Sequence, residues 1–162
     1  MHVAAPVLDS PPLLRYGLPE FKSHTAPAAG ADFTYQLGGD FYVRLLSIYC
    51  KFVADANAAS REVVLQYLDA ESNVFDVAGI NTTVTANNTA YYAFSAFQPE
   101  AIATVDSSAL VPLHPVILAP TQKIRLHVVS IQATDALSLI RTNWERFYTT
   151  NEPYVGGPHS GE

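Results

Sequence analysis

The chain has 162 residues, enough for a single domain with its own hydrophobic core. Only 15% of these residues are charged, below the roughly 25% of a typical globular domain, and the net charge is −6. Because the basic residues are scattered, we expect no nucleic acid partner. Since no apolar run of about 20 residues could span a bilayer, we expect no membrane partner either. The first residues lack the basic start and apolar centre of a secretory signal, so we expect synthesis in the cytoplasm.

Residues 1–30 predict an extended N-terminal arm. Five prolines exclude a regular helix or a central strand there. The segment nevertheless carries more apolar side chains than a disordered linker would. We therefore expect it to lie on another surface, its own or that of a neighbouring subunit. The expected contact residues are Leu13, Leu14, Tyr16, Leu18 and Phe21.

The stretch from Phe41 to Asp69 predicts two long β-strands joined by a polar turn at residues 55–60. Side chains alternate along the first strand, as is typical of a strand with one buried face. One face carries Leu46, Ile48, Cys50 and Phe52, and the other carries Leu45, Ser47, Tyr49 and Lys51. We expect the two strands to form a hairpin, with Cys50, the only cysteine, buried as a small apolar side chain.

Further strands are predicted between clusters of turn residues, at 31–37, 74–79, 80–86, 89–97, 114–119, 123–131 and 136–148. A loop with one helical turn is expected between residues 98 and 111. The sequence thus predicts an all-β fold, a single antiparallel β-sandwich over residues 31–149 that is jelly-roll-like, with about eight strands. An immunoglobulin-like sandwich is the alternative. Residues 150–162 predict an irregular C-terminal tail, with Tyr154 and Val155 as contact residues.

Four aromatic residues in the predicted strand 89–97 form a candidate interface. Alternation puts Tyr92 and Phe94 on one face of the strand, and Tyr91 and Phe97 on the other. One of these faces must belong to the core. The other is available for a contact with another subunit, or for stacking on a sugar, because aromatic residues are enriched at interfaces.

The polar residues show no catalytic or metal-binding pattern. The five histidines have none of the spacings of a zinc site. Asp69, Glu71 and Asn73 alternate like calcium ligands, but the glycine and glutamate that complete such a loop are missing, so we expect a turn. No serine lies in a hydrolase-type turn, and no two acidic residues are placed to face each other. We therefore expect no enzymatic activity, no metal and no cofactor.

Two segments resemble small β-sandwich virion structural proteins of tailed bacteriophages. The first segment reads LLSIYCKFVADANAASREVVLQYLDAESNVF, with a turn of small residues, a strand begun by arginine and an aspartate turn. The second, KIRLHVVSIQATDALSLIRTNWERF, resembles the closing hairpin of those proteins. Ser72 stands where their aspartate turn usually has glycine.

The resemblance implies a non-enzymatic virion structural protein, most simply a capsid decoration or cement protein that binds and stabilises the shell through a β-sandwich and extended arms. Its partners would be the major capsid protein or other virion proteins, and copies of itself as a homo-oligomer. Its location would be the virion, assembled in the host cytoplasm. Two alternatives stay open, a neck, collar or tail accessory protein, and a carbohydrate- or receptor-binding β-sandwich module.

Overall fold

The computed structural model describes residues 17–98, 100–103 and 108–148, and in this part of the chain it contains eleven strands and no helix. The strands in chain order are β1 (Leu18–Ser23), β2 (Phe33–Gln36), β3 (Phe41–Val53), β4 (Glu62–Leu68), β5 (Val74–Ala78), β6 (Thr89–Ser95), β7 (Ile102–Ala103), β8 (Ala109–Pro112), β9 (Ile117–Leu118), β10 (Lys123–Val129) and β11 (Ala136–Tyr148).

These strands form two sheets. The large sheet has the order β1-β11-β3-β6-β8-β7, with β9 also paired to β3, and the small sheet has the order β2-β10-β4-β5. The paired strands are antiparallel, except that β6 and β8 run parallel. The three short strands β7, β8 and β9 all lie in the connection between β6 and β10.

Without these three short strands, the molecule consists of two four-stranded sheets, β1-β11-β3-β6 and β2-β10-β4-β5. This is the strand order of a jelly roll, in which the chain crosses repeatedly from one sheet to the other. It differs from the order of an immunoglobulin-like sandwich. The structure confirms the predicted fold class, an all-β, jelly-roll-like sandwich with about eight main strands.

The two predicted hairpins are wrong. β3 belongs to the large sheet and β4 to the small sheet, so the turn at residues 55–60 carries the chain across the sandwich. The same is true of β10 and β11, which the turn at residues 130–135 connects. Alternation shows that each strand has one buried face, but two strands with this pattern can pair side by side or pack face to face.

The last part of the predicted N-terminal arm forms a strand of the sandwich, so the prediction of an extended arm is wrong there. Strand β1 pairs with β11 along its whole length, and the His24 N–H then donates to the Ile140 carbonyl at 2.9 Å. Pro19 is tolerated because β1 is an edge strand, where a missing N–H need not interrupt the ladder. The sandwich therefore already includes residues 17–30. Residues 1–16 of the predicted arm and the predicted tail, 150–162, lie outside the described residues.

The core lies between the inner faces of the two sheets. Ile48, Cys50 and Phe52 of β3 are fully buried, as their alternation predicts. At Leu46, however, a β-bulge adds one residue to β3, since Ser47 pairs with Asn143 and Leu45 with Trp144. The bulge reverses the alternation, so Leu45 is buried, and the predicted face of Leu46 is wrong.

Two further segments differ from the prediction. Residues 80–86 form no strand, and their only bridge joins Val84 to Arg61. In the loop predicted between residues 98 and 111, residues 102–103 and 109–111 belong to two short strands, β7 and β8, that extend the large sheet beyond β6. These additions widen the large sheet and enlarge its outer face.

Candidate functional site

The two sheets differ in how many apolar side chains they leave in solvent. Twelve large apolar residues in the described part of the chain are exposed. Eight of them lie on the strands and turns of the large sheet, and four lie on the small sheet. The eight are Leu18, Phe21, Tyr42, Tyr91, Phe97, Leu110, Ile117 and Leu139. Since exposed apolar side chains that share a surface mark interaction sites, the large sheet is the candidate.

A groove crosses the outer face of the large sheet, with a volume of about 460 Å³. It runs from the beginning of β1 over β11 and β3 to the turn that follows β6. Most of its walls are apolar, and its volume lies in the range of ligand sites. The lining residues are Gly17, Pro19, Arg44, Leu46, Ala96, Phe97, Pro115 and Glu145. The bulge at Leu46 turns this leucine toward the groove instead of the core.

One ion pair forms the polar part of this groove. The Arg44 Nε donates to Glu145 Oε2 at 2.9 Å, and a second guanidinium nitrogen contacts the same oxygen. The other carboxylate oxygen, Glu145 Oε1, accepts the backbone N–H of Gly17 at 3.2 Å. About 39% of the Arg44 side chain stays exposed, and its guanidinium carbon lies 5.8 Å from the centroid of the Phe147 ring.

Gly17 has no room for a side chain. A Cβ added there would lie 1.8 Å from Cγ of Glu145 and 2.7 Å from Cδ. The backbone at residue 17 therefore passes directly against the Glu145 side chain, at one end of the groove. A side chain at residue 17 would therefore displace the Glu145 side chain from its contacts with Gly17 and Arg44.

A pair of tyrosines lies farther along the same outer face. The rings of Tyr49 on β3 and Tyr91 on β6 stack, with centroids 6.3 Å apart and planes 20° from parallel. Partial burial, together with the neighbouring Tyr91 hydroxyl, raises the pKa of Tyr49. The Tyr91 N–H donates to Ser108 Oγ at 3.0 Å, which holds β6 beside the start of β8. Stacked tyrosines with exposed edges suit either a protein contact or a sugar ring.

Of the four residues in the predicted aromatic interface, two are exposed and two are buried. Tyr91 and Phe97 are exposed, and Phe97, in the turn after β6, lies in the groove. Tyr92 and Phe94 are fully buried and stack in the core, so they form no interface in this fold. Burial raises the pKa of Tyr92 to about 12, which keeps its hydroxyl neutral.

The residues predicted as arm and tail contacts divide into two groups. Leu18 and Phe21 lie on β1 with 58% and 78% exposure, and they belong to the sandwich instead of a separate arm. Phe21 is the most exposed of the large apolar residues that the structure describes. The others fall outside the described residues; they are Leu13, Leu14, Tyr16, Tyr154 and Val155.

On the outer face of the small sheet, polar side chains of β4 and β10 form hydrogen bonds with their neighbours. Arg125 Nε donates to the Gln66 side chain at 2.8 Å, across β10 and β4. His127 Nδ1 lies 2.7 Å from Asp32 Oδ2, while Asp32 Oδ1 accepts the Val128 N–H. These polar groups are thus satisfied by their own contacts. The small sheet also exposes Val74, Phe75, Val77 and Val129, half as many large apolar side chains as the large sheet.

A buried polar network closes one end of the sandwich. Arg61 is fully buried, and its Nε donates to Asp135 Oδ2 at 3.0 Å. Its other nitrogens donate to Asp55 and to the carbonyls of Asn57 and Ala59. Asp135 in turn accepts the backbone N–H groups of residues 55 and 132. The network ties the β3–β4 turn to the β10–β11 turn.

Sequence reasoning missed this network, although its two ends lie in the segments that resemble phage proteins. Arg61 is the arginine that begins the second strand of the first segment, and Asp135 is the aspartate of IQATD in the second. An arginine between two predicted apolar strands was a usable signal, because arginine is rarely buried without a carboxylate partner.

The remaining titratable groups give no site for a metal or a nucleophile in the described ranges. No three His, Cys, Asp or Glu side chains there are grouped to hold a metal ion. Cys50 is fully buried, and burial raises the pKa of its thiol to about 12. Asp69 bonds to the backbone and side chain of Asn73, as expected of a turn.

Comparisons with protein-family models, curated proteins and solved structures give no match to this chain. None of the described residues belongs to a helix capable of crossing a membrane.

Proposed function

We propose that this chain is a non-enzymatic structural protein of a viral particle, a decoration protein that binds and stabilises the capsid shell. The observation that carries the proposal is the apolar outer face of the large sheet in a jelly-roll domain, a fold that viral capsid proteins use. The resemblance of two segments to phage virion proteins supports the same role.

Assembly through this face would work by burying apolar area. Each square ångström removed from water stabilises the complex by about 25 cal/mol, before the cost of ordering side chains is subtracted. Phe21 offers the most exposed large side chain for this purpose among the described residues. A contact that is weak for one copy becomes strong when many copies bind a regular lattice of subunits and of one another.

The acidic residues of the molecule support a structural role. Asp135 is fully buried, and both its oxygens accept hydrogen bonds that fix loop backbone. Asp32 is bonded to His127 and to the backbone of β10. Carboxylates engaged in this way stabilise the fold, and both groups lie far from the groove on the large sheet.

The proposal is tested by placing a charge on each outer face in turn. Leu110 on the large sheet and Val129 on the small sheet are each 40% exposed, which makes them a matched pair. Particles of the source virus are depleted of this chain and incubated with recombinant wild type, Leu110→Glu or Val129→Glu. We expect Leu110→Glu to lower occupancy about tenfold or more, because an interface would desolvate the carboxylate. Val129→Glu is expected to bind like wild type. Equal occupancy of both variants would refute the proposal.

The same particles distinguish a decoration protein from a neck, collar or tail component. Electron microscopy of particles with labelled copies would show the label spread over the shell for a decoration protein. For a neck, collar or tail component, the copies would be confined to one vertex or to the tail. The partner is then the major capsid protein or a connector protein, respectively.

A carbohydrate-binding module is the second candidate, and the stacked pair of Tyr49 and Tyr91 favours it. Jelly-roll domains include lectins, and exposed tyrosine rings stack on sugars. This candidate predicts glycan binding by the isolated chain and its loss in Tyr91→Ala. An array without any bound glycan would exclude it.

A further inference from the structure

The groove on the large sheet ends where the described part of the chain begins. Gly17 lines the groove, and its N–H points to Glu145 Oε1 at 3.2 Å. Glu145 belongs to the outward row of side chains, since its neighbour across the strands is Arg44. The backbone at residue 17 therefore lies against the outer face of the sheet, at one end of the groove. Residues 1–16 continue from this end of the groove.

We propose that the groove binds the N-terminal segment of its own chain, with residues 12–16 lying in it in extended form. The groove thus becomes an intramolecular binding site for a short proline-containing peptide. This inference does not depend on a role in a virus particle, because it concerns the isolated chain.

The length of the segment matches the length of the groove. From β1 to the turn after β6, the groove crosses three strand spacings, about 14 Å at 4.7–4.9 Å each. Five extended residues span about 17 Å, and four span about 14 Å. A segment that starts at Gly17 and crosses the sheet therefore brings residues 12 and 13 to Ala96 and Phe97.

The chemistry of the segment also matches the lining. Residues 12–16 read Pro-Leu-Leu-Arg-Tyr, and the walls of the groove are formed mainly by proline, leucine, alanine and phenylalanine side chains. Proline-containing segments bind such grooves well, because they are stiff before binding and have fewer N–H groups to satisfy. The exposed part of the Arg44 side chain is available to the Tyr16 ring for a cation–π contact.

Phe97 provides the central contact of this proposal. Its side chain is 77% exposed at the far wall of the groove, although a large aromatic ring gains most by burial. Phe21 is equally exposed at 78%, but it does not line the groove. The two phenylalanines therefore form a matched pair for an experiment.

The first test measures trypsin cleavage in the full-length chain. Arg15 is the only lysine or arginine in residues 1–16, so cleavage there releases one fragment that mass spectrometry identifies. Cleavage of a docked segment follows the fraction of time that it spends undocked. We expect Phe97→Ala to accelerate release about tenfold, and Phe21→Ala to leave the rate at the wild-type value. Unchanged release in Phe97→Ala, or equal acceleration in both variants, would overturn the proposal.

The second test joins the segment to the groove by a disulfide. Two double variants, Pro12→Cys with Ala96→Cys and Leu13→Cys with Ala96→Cys, allow for a shift of one residue. The native thiol of Cys50 is buried and does not compete. At low protein concentration, we expect one of the pairs to oxidise within a single chain, seen as a monomer without free engineered thiols. A disulfide-linked dimer, or thiols that stay free in both variants, would contradict docking in the same chain.

A control places the second cysteine on the opposite face. Thr34 is exposed on β2 of the small sheet, opposite Arg125. A segment docked in the groove holds residue 13 on the outer face of the large sheet, whereas Thr34 lies on the outer face of the small sheet, beyond a core about 10 Å thick. Leu13→Cys with Thr34→Cys should therefore keep its thiols free. Rapid oxidation of this pair would show that the segment moves too widely to have a specific site, which would also overturn the proposal.

Discussion

The end of the sandwich around Arg61 and the outer face of the large sheet use polar and apolar groups in opposite ways. Around Arg61, charges are fully buried, and each one has partners in a neighbouring turn. On the outer face of the large sheet, aromatic and aliphatic side chains such as Phe21 and Phe97 are in solvent. The first region is complete within one molecule, whereas the second gains most from further contacts.

This difference assigns the stability of the fold to the Arg61 network and binding to the outer face of the large sheet. The Arg61 network joins turns that are distant in sequence, so it fixes how the two sheets close over the core. The outer face adds little to the core, because its large side chains remain exposed. Substitutions near Arg61 should therefore unfold the protein, and substitutions on the outer face should leave the fold intact while they change what it binds.

Replacing Arg61 gives the largest expected effect. In Arg61→Met, Asp135 would remain buried without its cationic partner. We expect the free energy of unfolding to fall by about 3–5 kcal/mol, as when one member of a buried ion pair is removed. Urea unfolding followed by tryptophan fluorescence measures the change, with Trp144 in the core as the probe.

Arg125→Met provides the matched control. This arginine lies on the outer face of the small sheet, where it bonds to the Gln66 side chain. Loss of an accessible hydrogen bond should lower the free energy of unfolding by no more than about 1 kcal/mol. If both arginine variants lost similar stability, the buried network around Arg61 would contribute no more to the fold than a surface hydrogen bond.

Leu139 gives a smaller effect of opposite sign. It lies at a bulge in β11 with a φ of 51° and is 51% exposed, so a leucine occupies a conformation that favours glycine. We expect Leu139→Gly to raise the free energy of unfolding by about 1 kcal/mol, by relieving this strain. Leu139→Ala keeps the strained backbone and should bring no such gain. A loss of stability in Leu139→Gly would show that the side chain itself holds the bulge.

The strands were largely predictable, because one face of each strand must be apolar to enter the core. For β11, the prediction of residues 136–148 agrees with the structure at both ends. The pairing of strands was not predictable from alternation. β3 and β4 bury matching faces whether they lie side by side or across the sandwich, and the buried Arg61 between them indicates the second arrangement only in retrospect.

The candidate site was predictable only in part. Alternation separated Tyr91 and Phe97 from Tyr92 and Phe94, but it did not indicate which of the two faces is exposed. The groove itself combines five separate stretches of chain, and the bulge that turns Leu46 toward it has no sequence signal. Its position depends on strand order, which composition and periodicity do not contain. The strand at Pro19 was missed for a related reason, because proline excludes a central strand but not an edge.

Acid should weaken the closed end of the sandwich through Asp55. Burial alone would raise the pKa of this carboxyl, but hydrogen bonds from Thr134 and Asn57 and the charge of Arg61 together lower it. A carboxyl whose pKa is lower in the folded state stabilises the protein above its unfolded pKa, about 3.9. This stabilisation is lost as the pH falls through the folded pKa. We therefore expect urea midpoints to decline below about pH 4 for this group.

Asp55→Asn is less stable than wild type at neutral pH, but its decline below about pH 4 should be shallower, because the substituted amide does not titrate. Asp69, whose pKa is lowered by hydrogen bonds from Asn73, lies at the other end of β4. Each substitution should make the urea midpoint depend less on pH below about pH 4. Since the two carboxyls share no partner, the two reductions should add in the double variant. Urea midpoints at a series of pH values measure both. A curve of Asp55→Asn parallel to that of wild type would mean that the Arg61 network does not favour the ionised carboxyl.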